Sequence, residues 1–133
     1  PNLYQQQDNQ EIKAILEERE RQGQDTIKGL YFVVDDQLYV YKKTNKYYCD
    51  IYLPEGQLYI KLDKSFYEDY VYIHDNMIYY VSGNRYNREL YSVHFFTHAY
   101  IKNVRYFCQE IKEDSKPEEI SEKDFRDLNN SLR

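Results

Sequence analysis

A β-hairpin signal that recurs three times at a spacing of 20 residues, between Tyr31 and Val81, constrains this chain more than any other feature. Tyr31-Phe32-Val33-Val34-Asp35-Asp36-Gln37-Leu38-Tyr39-Val40 aligns with Ile51-Tyr52-Leu53-Pro54-Glu55-Gly56-Gln57-Leu58-Tyr59-Ile60. Both align with Val71-Tyr72-Ile73-His74-Asp75-Asn76-Met77-Ile78-Tyr79-Tyr80. Every column keeps its chemical type except the one before the turn. The pairs Asp35-Asp36, Glu55-Gly56 and Asp75-Asn76 suit two-residue turns, because the second residue of each tolerates positive φ.

If each turn is that pair, the register follows and side chains alternate between two faces. The predicted core face carries Tyr31, Val33, Leu38, Val40, Cys49, Ile51, Leu53, Leu58, Ile60, Leu62, Val71, Ile73, Ile78 and Tyr80. The opposite face carries the cross-strand pairs Phe32/Tyr39, Tyr52/Tyr59 and Tyr72/Tyr79, with Tyr41, Tyr48 and Tyr70 nearby. The same register sets Asp50 opposite Lys61, an opposite-charge pair of the kind that supports a sheet by ~0.2–1 kcal/mol.

At 133 residues the chain is expected to form one domain, large enough to bury a core without staples. Seventeen tyrosines at a mean hydropathy of −0.93 exceed what one core needs. Some of the rings are therefore expected at an interface, where a large rigid side chain with a polar tip loses little entropy on binding. The net charge of −5 argues against nucleic acid, which calls for a basic patch, and favours a basic protein partner. Acidic side chains concentrate near the C-terminus, where Glu113, Asp114, Glu118 and Glu119 are candidates for steering such a partner. The bland alternative is a solvated tail.

No apolar run approaches the ~20 residues of a membrane span, and no signal-peptide core is present, so a soluble chain is expected, with the cytoplasm favoured over secretion. The opening Pro1 implies that a Met was removed or that the chain is a processed or trimmed product. Cys49 and Cys108 make no metal spacing and no disulfide framework; Cys49 reads as a buried free thiol.

Residues 1–8 are polar, Gln-rich and expected to fray. Asp8 with Glu11 fits a capping-box-like start and Gly23 a stop, giving a helix over 9–22 with a narrow stripe of Ile12, Ile15 and Leu16. The hairpin repeat fills 29–81, and Ser82-Gly83-Asn84-Arg85 reads as a turn. Over 88–112 two readings compete. Leu90, Val93, Phe96, Tyr100, Val104, Phe107 and Ile111 step as on a helix, whereas Tyr91, Val93, Phe95, Thr97, Ala99 and Ile101 alternate as on a strand. The density of β-branched and aromatic residues favours two strands, Leu90 to Thr97 and Val104 to Ile111. An acidic tail over 113–133 ends in a short helix from Glu122 to Ser131, capped at Ser121 and docking through Phe125 and Leu128. The predicted fold is α+β: an antiparallel meander of six to eight strands with a helix at each end packed on it.

His94 and His98 suit zinc only on a helix; on a strand they stand about 13 Å apart, so no metal and no cofactor is expected. No nucleophile elbow or Gly-rich phosphate loop is present, and an enzyme is not expected. The Tyr-bearing face, Phe32, Tyr39, Tyr41, Tyr48, Tyr52, Tyr59, Tyr70, Tyr72 and Tyr79, is the candidate partner surface. Its structural alternative is a set of sheet-stabilising pairs, or a second core covered by later chain. The expected function is non-catalytic protein binding, of inhibitor or immunity type, on a basic partner. A second copy of the chain is among the partners the sequence allows. An aromatic platform for glycans or cell-surface components and a small acidic secretion chaperone are the alternatives. Twenty-residue hairpins with aromatic strands resemble in outline the ligand-binding repeats of cell-wall proteins, although the Trp and Gly positions of those repeats are missing.

Overall fold

The computed structural model describes residues 2–66, 68–85 and 101–132. Among them, one antiparallel sheet of eight strands is flanked by two α-helices, the α+β fold that the sequence predicts. The strands are β1 (Leu30–Val34), β2 (Gln37–Lys43), β3 (Cys49–Tyr52), β4 (Leu58–Ser65), β5 (Tyr72–His74), β6 (Met77–Arg85), β7 (Ile101–Glu110) and β8 (Glu118–Ile120). The helices are α1 (Gln10–Arg21) and α2 (Glu122–Ser131). Sheet order is β1-β2-β3-β4-β6-β7-β8, with β5 off this path and paired to β6. A simple meander would set β5 beside β4; instead β4 reaches β6 itself through Ser65 and Ser82. The predicted turn at Ser82 to Arg85 is part of β6. The predicted strand from Leu90 to Thr97 and the pair His94 and His98 lie outside the described residues.

The first and third hairpins form as predicted. Asp35 and Asp36 take φ of 50° and 65°, and Asp75 and Asn76 take 48° and 63°, the left-handed pairs that a two-residue turn demands. Phe32 pairs with Tyr39 and Tyr72 with Tyr79. Asp36→Gly and Asn76→Gly are each expected to change stability by less than about 1 kcal/mol, because Gly relieves left-handed strain but loses more backbone entropy. Urea midpoints of the two variants check this.

The second hairpin departs from the repeat, and Pro54 is the cause. Val34 and His74, in the equivalent column, pair across their turns with Gln37 and Met77. Pro54 has no N–H with which to close such a pair. Its turn therefore widens to Pro54-Glu55-Gly56: the Leu53 N–H donates to the Gln57 carbonyl (2.8 Å), and the Gly56 N–H to the Leu53 carbonyl (2.9 Å). Gly56 sits at φ +114°, a conformation that a side chain would strain. Tyr52 consequently pairs with Leu58, not Tyr59, and the register shifts again before Ile51 meets Ile60. Leu58, predicted for the core, is 47% exposed, whereas Ile60 is buried. Ile60→Ala should cost at least about 2 kcal/mol, while Leu58→Ala should cost under about 1 kcal/mol, because only the first empties a packed site. Chemical denaturation of the two variants separates them.

A larger irregularity follows on β4. Between the pairs Ile51/Ile60 and Cys49/Ser65, the single residue Asp50 faces the stretch from Lys61 to Lys64, and Lys64 takes φ +54°. The predicted pair of Asp50 with Lys61 does not form. The bulge frees backbone groups of β4, and side chains satisfy them. The buried Asp50 carboxylate accepts from Leu62 N–H (2.7 Å), the Tyr80 hydroxyl accepts from Asp63 N–H (3.0 Å), and Ser82 Oγ donates to the Asp63 carbonyl. Gln109 Nε2 donates to the Lys61 carbonyl (2.9 Å) and to that of Ser115 (3.0 Å), and Gln109 Oε1 accepts from Tyr80 (2.7 Å).

Both faces of the sheet are covered. Strand β2 pairs with β3 through Tyr41/Ile51, which places the aromatic column of the first hairpin on the side of the aliphatic columns of the other two. Phe32, Tyr39 and Tyr41 thus join Ile51, Ile60, Leu62, Ile78 and Tyr80 in the principal core. On the opposite face, Tyr72, Val81 and Tyr106 surround Phe125 of α2, which is 0% exposed. Tyr31 and Val33 of the predicted core face are only half-buried there, with Leu38 and Val40 buried behind them. The chain between α1 and β1 crosses that side: Ile27 N–H donates to the Pro54 carbonyl (2.9 Å), and the Tyr31 hydroxyl donates to Ile27.

The ends of the chain are better ordered than their composition predicts. Far from fraying, residues 2–8 lock onto the sheet. Leu3 is fully buried and donates its N–H to the Val71 carbonyl (2.7 Å), while the Gln7 carboxamide bonds both N–H and C=O of Tyr31 (2.9 Å each). Gln7 thereby occupies the edge that β1 would otherwise offer to another strand. Helix α1 is capped one residue later than the capping-box reading, by Asn9, whose side chain accepts from Glu11 and Ile12 N–H. Helix α2 has the predicted bounds, with Ser121 Oγ accepting from Asp124 N–H (3.0 Å).

Candidate partner-binding surface

The nine rings of the predicted partner face do not form a row. Phe32, Tyr39, Tyr41 and Tyr72 are buried. Tyr59 is half-buried and packs on Tyr39 with ring centroids 5.2 Å apart; Tyr70 and Tyr79 are half-buried against the second core. The physical reason lies between hairpins. The repeat fixes faces within each hairpin, but the connecting loop sets the register from one to the next, and a shift of one residue exchanges the faces. Burial raises the Tyr41 hydroxyl well above its ordinary pKa, and burial with the Tyr59 hydroxyl pushes Tyr39 up to about 12. These rings are neutral core components.

Tyr48, in the loop between β2 and β3 beside an exposed Tyr47, and Tyr52, at the end of β3, are half-buried. Tyr47 and Tyr48 have centroids 6.2 Å apart, the Tyr52 hydroxyl bonds Thr44 Oγ1 (2.7 Å), and Lys42 Nζ sits 5.5 Å over the Tyr52 ring. Lys46 takes the same position over Tyr47. Of the nine predicted rings, what remains at the surface is therefore a small group, with a cation over the Tyr52 ring.

The acidic candidates are brought together more closely than the rings. Glu118 and Glu119 belong to β8, a strand where the sequence predicts a solvated tail. Cys108 pairs with Glu118 and Phe107 with Glu119, extending the sheet past β7. Glu119 is held by Arg105 through two hydrogen bonds of 3.0 and 2.7 Å, and this partner lowers its pKa. It is already neutralised.

Glu113, Asp114 and Glu118 instead line one pocket of about 420 Å³, together with Glu110. The loop from β7 to β8 builds it. Ile111 N–H is tied to the Asn76 carbonyl (2.8 Å), Ser115 N–H to that of Lys112 (3.1 Å), and Asp114 turns the chain at φ +59°. Gln109 anchors the loop from beneath through the Ser115 carbonyl. Lys112 and Lys116 also contribute to the wall, so carboxylates outnumber ammonium groups four to two. Among the described residues these four carboxylates form no ion pair. The Ser115 hydroxyl lines the same pocket and is buried without a hydrogen-bond partner among the described residues. This is the place in the described fold that can take a cation of small-molecule size, the usual range being about 300–1,000 Å³.

Both cysteines are free and buried. Burial, opposed by the Tyr41 hydroxyl, pushes the Cys49 thiol up to about 11, and burial with Glu118 raises that of Cys108. Neither is a thiolate at neutral pH. Among the described residues no three metal-ligating side chains gather, and no helix is long and apolar enough to cross a membrane. No protein-family model, curated protein or solved structure matches this chain.

Proposed function

We propose that the chain is a non-catalytic protein-binding domain, of inhibitor or immunity type, that recognises a basic partner through the acid-lined pocket between β7 and β8. The observation that carries this reading is the gathering of Glu110, Glu113, Asp114 and Glu118, none with an ion-pair partner among the described residues, around one concavity. A lysine or arginine side chain of the partner enters it, donates to the carboxylates and to the buried Ser115 hydroxyl, and acts as an anchor. The excess of negative charge over the whole chain, −5, steers the encounter. The loop is tied to Gln109 and Asn76, so the pocket is preformed and little ordering entropy opposes binding.

Kinetic titrations at low and high salt against the basic protein that co-purifies with this chain test the reading. Glu113→Lys combined with Glu118→Lys should slow association, weaken affinity at least about tenfold (about 1.4 kcal/mol) and flatten its salt dependence. Tyr52→Ala should leave binding within about twofold, or about 0.4 kcal/mol. Binding that survives the two reversals, or retention on polysaccharide that ignores salt, would overturn the proposal.

A further inference from the structure

A second concavity carries the opposite charge. It holds about 410 Å³ where the principal core meets the ends of β1, β2 and β3, with Leu30, Tyr41 and Cys49 as its floor, Lys28 and Lys43 at its rim and Lys42 alongside. The register explains the combination. Leu30 pairs with Tyr41 and Lys43 with Cys49, and Tyr41 and Lys43 are two apart on β2, so all four share the core face. Lys43 therefore ends a row of core-facing positions, and the apolar surface beneath it is continuous with the core.

Two ammonium groups in one rim, those of Lys28 and Lys43, run against the composition of an acidic chain. A single carboxylate, Glu68, lines the same opening. Lys28 and Lys43 form no ion pair among the described residues, and Lys42 bonds the Lys43 carbonyl (3.3 Å) while resting over Tyr52. The floor, by contrast, offers no free polar group: the Tyr41 hydroxyl is bonded to Ser65 Oγ (2.8 Å), and the Cys49 thiol stays protonated. A cationic rim over an apolar floor selects a ligand with an anionic head and an apolar tail.

We propose that this opening binds a small amphiphilic carboxylate, its head between Lys28 and Lys43 and its tail on Leu30, Tyr41 and Cys49. The site stands apart from the acid-lined pocket and does not depend on the basic-partner reading.

The test titrates the intact chain with octanoate, acetate and octylamine, reading affinity by calorimetry and location by amide chemical shifts. Octanoate should bind in the millimolar range or tighter, with shifts centred on Leu30, Tyr41 and Cys49. Acetate, which keeps the head alone, should bind at least tenfold more weakly, and octylamine should not bind at this place. Lys28→Glu with Lys43→Glu, both at exposed positions, should weaken octanoate at least tenfold while leaving the thermal midpoint unchanged. Equal binding of acetate and octanoate would reduce the opening to a patch of surface charge and overturn the proposal. So would equal binding of octylamine, shifts centred elsewhere, or no binding of octanoate at millimolar concentration. The wild-type titrations decide this even if the double variant folds poorly.

Discussion

Gln109→Leu is expected to lower stability by about 3–5 kcal/mol, although the change is from a polar residue to an apolar one of similar size at a buried position near the end of β7. Elsewhere such a replacement is tolerated. Here the carboxamide meets three partners at once: it accepts from the Tyr80 hydroxyl and donates to the Lys61 and Ser115 carbonyls. Each group left unsatisfied away from water costs about 1–3 kcal/mol. Leu supplies apolar contact but none of those bonds, so the losses add at one site. Tyr80→Phe should cost less, about 1–3 kcal/mol, because it strands only the Asp63 N–H and one lobe of Gln109. The double variant should lose less than the sum, since the bond between the two residues is counted in both single changes. Urea denaturation of the four proteins measures the coupling. Strictly additive losses would show that the two side chains act independently. Gln109→Leu should also loosen the loop under Ser115, and with it the acid-lined pocket.

That network marks where sequence reasoning ends. The left-handed turns at Asp35-Asp36 and Asp75-Asn76 are written in residue types, and so are the cap at Ser121 and the bounds of α2. Each depends on a few adjacent residues. The bulge on β4 does not, because it exists only where Asp50, Tyr80, Ser82 and Gln109 meet from three other strands. Pro54 is the exception that a closer reading reaches: it stands in the variable column before the turn, and the missing N–H forbids a third equivalent turn. The buried Leu3 is legible only in hindsight, as a lone apolar side chain in a Gln-rich segment.

The candidate surface was half legible for the same reason. Charge is a property of composition, and Glu113, Asp114 and Glu118 are visible as acidic residues in one short stretch. Their convergence needs β8, whose residues Glu-Glu-Ile carry no strand alternation and gain their conformation from pairing with β7. The tyrosine face failed because the parity of the loop between β2 and β3 decides which column meets which. Nothing in Thr44-Asn45-Lys46-Tyr47-Tyr48 announces that parity, yet it moves Phe32, Tyr39 and Tyr41 from a presumed surface into the core.

The second face tests this most directly, through Phe125→Ala. Phe125 is the fully buried residue through which α2 covers the sheet; its ring lies 5.2 Å from that of Tyr106 and edge-on to that of Tyr72 at 6.2 Å. One turn further on, Asn129 accepts from the Tyr72 hydroxyl, so an apolar and a polar contact on the same stripe both hold the helix. Truncating a buried Phe costs about 3–5 kcal/mol, and the short helix has little intrinsic stability with which to resist. The expected result is a loss of about 4 kcal/mol with release of α2 from the sheet. Hydrogen exchange should then rise in α2 and along β7 and β8, while β1 to β3 keep their protection, because their rings lie in the other core. Tyr72 and Tyr106 would be uncovered by the same change. If stability falls by less than about 1 kcal/mol, the second core does not exist and the tyrosines of the third hairpin are surface residues after all.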